Sequence, residues 1–359
     1  MNKCNLHSPG NTTYSNPQFY ENKFFWIFCI CHVIAWTIGS TWCRGSVTHD
    51  TLEGIAWGYQ WQLGYDKHPF ITAWLVATAT KIGGSVGWPV YLLSQLAVIT
   101  TFTAVWQLAK QIFTPTLALI SVLLLEGILY FNINSINLTP DTMQTPFWAL
   151  LTLCFYQALK QQTLKPWLLT ACCAALALMT KYAIVLLLLP MFIVCCSTSE
   201  GRKSFRNKNC YIALGVFLLL ISPHVFWACK QNLTGIGYIQ ASISTDNANH
   251  IIYPLRYIAS QLGVLAGLLL LAWPLYFAKR DPQLQTNYFD KCFLIIIGLG
   301  PFVSTIILGI ISGAKIIPRW STPYFYLYGI LLLLWLRPLI TKKIFTKFII
   351  TVIIAAISI

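Results

Sequence analysis

Residues 292–312 read CFLIIIGLGPFVSTIILGIIS, with no charged side chain between Lys291 and Lys315. A helix needs about 20 such residues to cross a hydrocarbon core of about 30 Å. Residues 210–229, CYIALGVFLLLISPHVFWAC, have the same character. Working outward, further apolar runs fall at 24–43, 86–108, 115–134, 145–159, 166–180, 182–197, 257–278, 321–336 and 344–359. With the first two they make about eleven candidate spans. Composition agrees, because 57% of the 359 residues are hydrophobic and only 9% are charged. Soluble domains carry about 25% charged residues, and a chain this poor in charge cannot cover its surface in water. The expected fold is all-α, a polytopic membrane protein of one membrane domain.

The net charge of +14 raises the question of an acidic partner. The basic residues are scattered over short loops and form no aromatic-studded patch, which argues against nucleic acid. Membrane topology explains them better. With the N-terminus in the cytoplasm, Lys110, Lys160, Lys165, Arg202, Lys203, Arg206 and Lys208 fall inside with others like them. Arg44, Lys67, Lys181, Lys230, Arg256, Lys315 and Arg319 fall at the outer face, a bias of about two to one. Residues 1–23 then form a cytoplasmic tail and 24–359 the membrane domain. The first span lacks a small-residue cleavage pattern and is expected to be retained as an anchor. At the other end the last apolar run stops at Ile359 without a polar flank, so the C-terminal part is expected to be shortened.

Twelve cysteines suggest a disulfide framework until their positions are read. Most, such as Cys29, Cys154, Cys172, Cys173 and Cys195, lie within apolar spans, where free cysteine packs as a small hydrophobe. Sequons at Asn11, Asn137 and Asn232 are the chance yield of a chain rich in Asn and Thr, and no role is assigned to them.

The segments expected outside are 44–85, 135–144, a tight turn at Lys181, 230–256 and 313–320. The first is too long for a simple turn. Within it Leu52, Ile55, Ala56, Tyr59 and Leu63 recur at helical spacing, and a second apolar-faced stretch runs from Phe70 to Ile82 after Pro69;. Two helices lying along the outer interface are expected, with Trp57, Trp61, Tyr65 and Trp74 at the depth amphipathic rings prefer.

The chain has only ten acidic residues, and several gather in these segments. Asp50 and Glu53 have the spacing of an N-cap and its first helical turn, so capping is one reading and catalysis the other. Asp141 precedes Thr142 at a helix start and is open to the same two readings. Residues 64–69, GYDKHP, place Lys67 beside His68, a point charge and extra donors suited to a phosphate. The plainer reading is a snorkelling lysine with a solvated histidine. Lys181 interrupts a long apolar stretch and marks either a charge at the membrane edge or only a turn. Within the spans, Glu126 occupies an expensive position for a carboxylate. His224, in SPHVFW, reads as either a hydrogen-bonded structural group or a ligand-binding one.

The runs Asp50 to Trp61, Gly64 to Pro69 with Trp74, Pro140 to Trp148, Thr180 to Tyr182, Ser222 to Trp227 and Trp320 to Pro323 resemble, in their order, the membrane glycosyltransferases with the C-type fold. The likeness is to the bacterial branch of protein mannosyltransferases, aminoarabinose transferases and rhizobial galacturonosyl transferases. It implies two interfacial helices in the first periplasmic loop, in agreement with the reading above. It also implies a transferase of the bacterial inner membrane, moving sugar from a polyprenyl-phosphate carrier to lipid A, another envelope glycan or a protein at the periplasmic face. Asp50, Asp141 and Glu53 become the catalytic candidates. Lys67, His68, Lys181, Tyr182 and His224 become the substrate-binding ones. No cofactor is assigned, and a divalent metal is left open. Phe70 departs from the family's second proline at that position, and family members commonly continue into further spans or an outer C-terminal domain. Two rival readings are a transporter or lipid flippase, and a non-catalytic relative of a transferase.

Overall fold

The computed structural model describes residues 17–233, 235, 237 and 248–358. Asn11 and most of the expected tail lie outside the described residues. Helix α1 spans Pro17–Cys43, followed by the short α2 (His49–Gly58) and α3 (Ile71–Gly83). Then come α4 (Trp88–Ala109), α5 (Pro115–Leu123), α6 (Pro140–Gln161), α7 (Leu164–Leu178), α8 (Val185–Ser197), the single turn α9 (Ser199–Ser204) and α10 (Lys208–Lys230). The series closes with α11 (Ile252–Leu271), α12 (Trp273–Tyr276), α13 (Tyr288–Ser312), α14 (Tyr328–Leu336) and α15 (Lys342–Ser358). Among the described residues there is no strand, only an isolated bridge between Arg280 and Pro338.

Five of these helices are long and apolar enough to cross a membrane, and one bent pair makes up to six. Several of the expected spans are therefore present as shorter or interrupted helices. The clearest correction concerns 115–134, expected as one straight span. It breaks into Pro115–Gly127 and Leu129–Ile136 with a 90° bend. Beyond Leu123 the chain continues only as 3₁₀ turns, Leu124–Gly127, Leu129–Phe131 and Ile133–Ile136. Gly127 is pressed against Gly267 of α11, where an added Cβ would come within 2.5 Å of that backbone. Such close approach of two backbones through small residues is a usual way for helices to pack in a membrane. The 321–336 span is likewise divided, into a 3₁₀ helix at Pro318–Leu327 and α14.

α6 is central, packing on α4, α7 and the Pro318–Leu327 turn. Trp148 and Tyr156 of α6, Phe102, Phe131, Tyr324 and Tyr326 are fully buried in this core. At the periphery Leu218, Leu219 and Phe226 of α10 and Ile307 and Ile311 of α13 are exposed. That distribution, inverted relative to a water-soluble protein, suits a multi-pass membrane protein whose solvent is lipid. The described cysteines are free.

The bend explains Glu126. Its carboxylate meets His32 Nδ1 of α1 at 3.0 Å, and His32 Nε2 lies 3.1 Å from Gln95 Oε1 of α4. Asn132 donates to the Glu126 carbonyl at 2.6 Å, which satisfies backbone freed by the break;. Three helices are thus tied by one buried polar cluster. Removing one member strands the other, at a cost of about 3 kcal/mol or more. Glu126→Leu is expected to lower the thermal unfolding midpoint in detergent, and adding His32→Leu to recover part of that loss. A simple sum of the two single effects would contradict the pairing.

Candidate active site

Thr48 is the N-cap residue of α2, so Asp50 lies inside the first turn and is not the cap. This sets aside the capping reading of Asp50. Asp50, Glu53, Gly54 and Trp57 then share one helical face by their spacing, and all four line one recess between α2 and α3. The two helices press together at Gly58, where an added Cβ would sit 2.1 Å from the Ala73 carbonyl oxygen. Thr51, on the buried side, donates to the Leu138 carbonyl at 2.9 Å. Arg44 reaches Asn137 Oδ1 at 2.6 Å. These two bonds hold the 135–144 segment alongside α2, and Asp141 and Asp50 line the same cavity.

Residues 59–70, between α2 and α3, are held from several sides. Tyr65 N–H donates to the His68 carbonyl and Ile71 N–H to the Met179 carbonyl at the end of α7. Trp74 Nε1 donates to the Gln62 carbonyl at 2.9 Å. Tyr65 stacks on Trp57 with ring centroids 5.2 Å apart. The aromatic residues placed along the interface by their sequence thus also brace the loop that carries Lys67 and His68. Lys67 lies over the Trp57 ring at 5.8 Å and pairs with Glu53 at 2.5 Å.

Asp141 does not cap its helix either, because Thr139 does, accepting from Thr142 N–H at 3.3 Å. Its carboxylate meets Lys181 Nζ at 2.5 Å, with the lysine side chain 13% and the aspartate 6% exposed. Lys181 stands in extended backbone between α7 and the 3₁₀ turn Tyr182–Ile184, and its ammonium lies 5.6 Å from the Trp320 ring. The third pair joins Arg319 to Asp50 at 2.7 Å, with side chains 56% and 30% exposed.

All of these paired residues except Glu53 line one cavity of about 300 Å³. Its charged end holds Asp50, Lys67, His68, Asp141, Lys181 and Arg319. The rest of its wall is mostly apolar, with Val185, Leu186, Leu308 and Ile316 among the contributors, and Lys315 stands at its edge. The size is at the lower end of ordinary small-molecule sites. Among the described residues no three His, Cys, Asp or Glu side chains converge as a metal site.

His68 is not a further cation. Burial, with Lys181, Lys67 and Arg319 close by, pulls its pKa down to about 3;. A free imidazole titrates near 6.5. Between these values the unfolded chain takes up a proton that the folded one refuses. Acidification from pH 6.5 toward 3 therefore costs stability through this group, and above 6.5 the group contributes nothing. His68→Gln is expected to make the unfolding midpoint fall less steeply between pH 6.5 and 4 than in wild type. A slope unchanged by the substitution would contradict this.

The structure brings together Asp50, Glu53, Lys67, His68, Asp141, Lys181 and Tyr182. His224 is set apart from them. It does not line the cavity; its Nδ1–H donates to the Leu63 carbonyl at 2.6 Å and its Nε2 accepts from Tyr182 O–H at 3.0 Å. Its bonds join Tyr182 and the 59–70 loop, and it stands outside the cavity that Lys67, His68, Lys181 and Tyr182 line. The residue the sequence reading passed over is Arg319. A signal existed, since the expected topology puts Arg319 at the outer face, against the basic bias of the loops and next to Trp320.

Residues 67–227 match the protein family described as dolichyl-phosphate-mannose-protein mannosyltransferase. Over 295 residues the chain is 22% identical to a lipid A galacturonosyltransferase, RgtD, of Rhizobium johnstonii, covering 80% of this chain and 60% of that protein. The fold matches that of ArnT from Cupriavidus metallidurans. Against ArnT bound to undecaprenyl phosphate the TM-score is 0.66 at 14% identity, covering 96% of this chain and 64% of the other. Against apo ArnT it is 0.64, with 92% and 62% covered. The chain thus spans about 60% of the length of its curated relative.

Proposed function

We propose that this chain, a multi-pass membrane protein with the C-type glycosyltransferase fold, transfers a sugar from a polyprenyl-phosphate carrier to lipid A or another envelope glycan. The observation that carries the reading is the cavity itself, an apolar wall ending in a cluster of cations beside two carboxylates. An isoprenoid chain suits the apolar wall and its phosphate suits the cations. The similar proteins point the same way. RgtD is named for lipid A, and ArnT is seen with undecaprenyl phosphate. In a bacterium the membrane would be the inner one and the charged end would face the periplasm, in keeping with the basic residues at the opposite ends of the helices.

In the proposed reaction the acceptor hydroxyl attacks the anomeric carbon, Asp50 takes its proton, and the bond from that carbon to the phosphate oxygen breaks with its electron pair leaving on the phosphate. The carbon inverts. A phosphodiester carrying one negative charge becomes a monoester carrying nearly two. Lys67 therefore meets more charge in the transition state than in the ground state, the condition for raising the rate of the chemical step. Glu53, paired with Lys67, holds it in place and takes no proton in this scheme.

A transporter reading would put the functional charges near mid-membrane. The buried His32–Glu126 pair comes nearest to that, but it is tied to Gln95 and neither partner lines the cavity. The test is mass spectrometry of lipid A and envelope glycans from a deletion strain complemented with wild type or Asp50→Asn. The expected result is a sugar lost on deletion and restored by wild type alone. An unchanged glycan profile with the protein present would overturn the reading.

A further inference from the structure

The cavity has a peculiarity that a simple phosphate site would not need. Each of Lys67, Lys181 and Arg319 is already paired with a carboxylate, Glu53, Asp141 and Asp50 respectively. An incoming phosphate must therefore compete with carboxylates for its cations. The three pairs do not resist equally. Lys181–Asp141 is buried, and drawing its lysine onto a phosphate would leave Asp141 uncompensated in a low-dielectric setting;. Arg319–Asp50 is the most exposed of the three, and exposed pairs hold together weakly. Arginine, moreover, presents a planar fork that fits a phosphate in two-point contact better than it needs a single carboxylate oxygen. Of the two partners separated at that pair, one is the carboxylate with the clearest catalytic position.

We propose that Arg319 is a ligand of the carrier phosphate that in the empty site locks Asp50, so that donor binding exchanges the Arg319–Asp50 pair for an Arg319–phosphate pair and releases Asp50 to serve as base. This rests on the carrier-phosphate reading above and deepens it. Arg319 moves onto the phosphate and Lys67 meets it from its place beside Glu53, while Lys181 stays with Asp141, whose role is to hold that end of the cavity in shape. The exchange orders the reaction, because Asp50 is unavailable to an acceptor until a donor is seated. When the bond to the anomeric carbon breaks, Arg319 meets the second charge developing on the phosphate, and Asp50 holds the acceptor's proton. Departure of the carrier phosphate and loss of that proton restore the pair.

The exchange makes an unusual demand on mutants, that removing the catalytic carboxylate should improve carrier binding, and only through Arg319. The test is the affinity of undecaprenyl phosphate for wild type, Asp50→Asn, Arg319→Gln and the double variant in phosphatidylcholine nanodiscs, with unfolding midpoints recorded for each. Arg319→Gln is expected to weaken binding about tenfold or more. Asp50→Asn is expected to tighten it about fivefold, and to have no such effect in the Arg319→Gln background. Arg319→Lys, which keeps the charge and loses the fork, should fall between wild type and Arg319→Gln. An equal gain from Asp50→Asn in both backgrounds would mean that it only relieves repulsion of the phosphate, and would overturn the lock. So would no gain at all in a wild-type background that binds the lipid. Failure of wild type to bind undecaprenyl phosphate would be a different result, overturning the carrier reading on which the lock rests.

Discussion

Asp50→Asn is expected to lower sugar transfer by about 10³-fold or more while the fold persists. Asparagine has nearly the same shape and keeps an oxygen toward Arg319, so α2 and its contacts with α3 should survive. What it loses is the ability to accept the acceptor's proton. The effect should appear in the rate of the chemical step and not as weaker binding of the carrier. Asp66 supplies the control, since it is an exposed carboxylate in the same 44–85 segment and lines neither recess. Asp66→Asn should stay near wild type. Transfer rates in membranes adjusted to equal protein levels decide the matter. An Asp50→Asn variant within about tenfold of wild type would remove Asp50 from the role of base.

Lys67→Ala is expected to cost about 10² to 10³-fold in transfer efficiency, through both carrier binding and the chemical step. Lys67 sits where the carrier phosphate would lie, over Trp57 and next to Glu53. Lys67→Arg should recover part of the loss because charge is retained, though the point-like ammonium and its geometry are not. Lys181→Ala should behave differently. Its partner Asp141 is almost wholly buried, so the variant strands a carboxylate and loses stability by about 3 to 5 kcal/mol. A Lys181→Ala variant that melts like wild type yet binds carrier poorly would reverse the roles given to these two lysines.

Much of this arrangement is legible in the sequence, for definable reasons. The apolar runs are long and nearly uncharged, so the membrane class needs no tertiary information. α2 and α3 are local features, visible as helical periodicity between polar punctuation at 44–49 and 64–69. Asp50, Lys67 and Asp141 stand out because a carboxylate or lysine at the membrane edge is costly. The partners are what the sequence withholds. Asp50 meets Arg319, and Asp141 meets Lys181, across separations that no local spacing encodes. Capping looked adequate for both aspartates because Thr48 and Thr139, the residues that stand at those helix starts, are equally good at it. His224 lies within an apolar run in either of its readings, and only the positions of Leu63 and Tyr182 separate them. The bend after Leu123 was hidden for a related reason. Residues 115–134 have the composition of a span, and what surrounds the break, Gly267 of α11 against Gly127 and His32 of α1 against Glu126, comes from helices distant in sequence.

The central claim is that this cavity catalyses transfer from a polyprenyl-phosphate sugar. The most direct measurement places the purified chain in proteoliposomes with lipid A and a pool of polyprenyl-phosphate sugars extracted from bacterial membranes, and follows the mass of lipid A. The account predicts a sugar added to lipid A by wild type, with matching release of carrier phosphate, and neither change with Asp50→Asn. Folded wild-type protein that binds the carrier yet leaves both the lipid A mass and the carrier pool unchanged would contradict it.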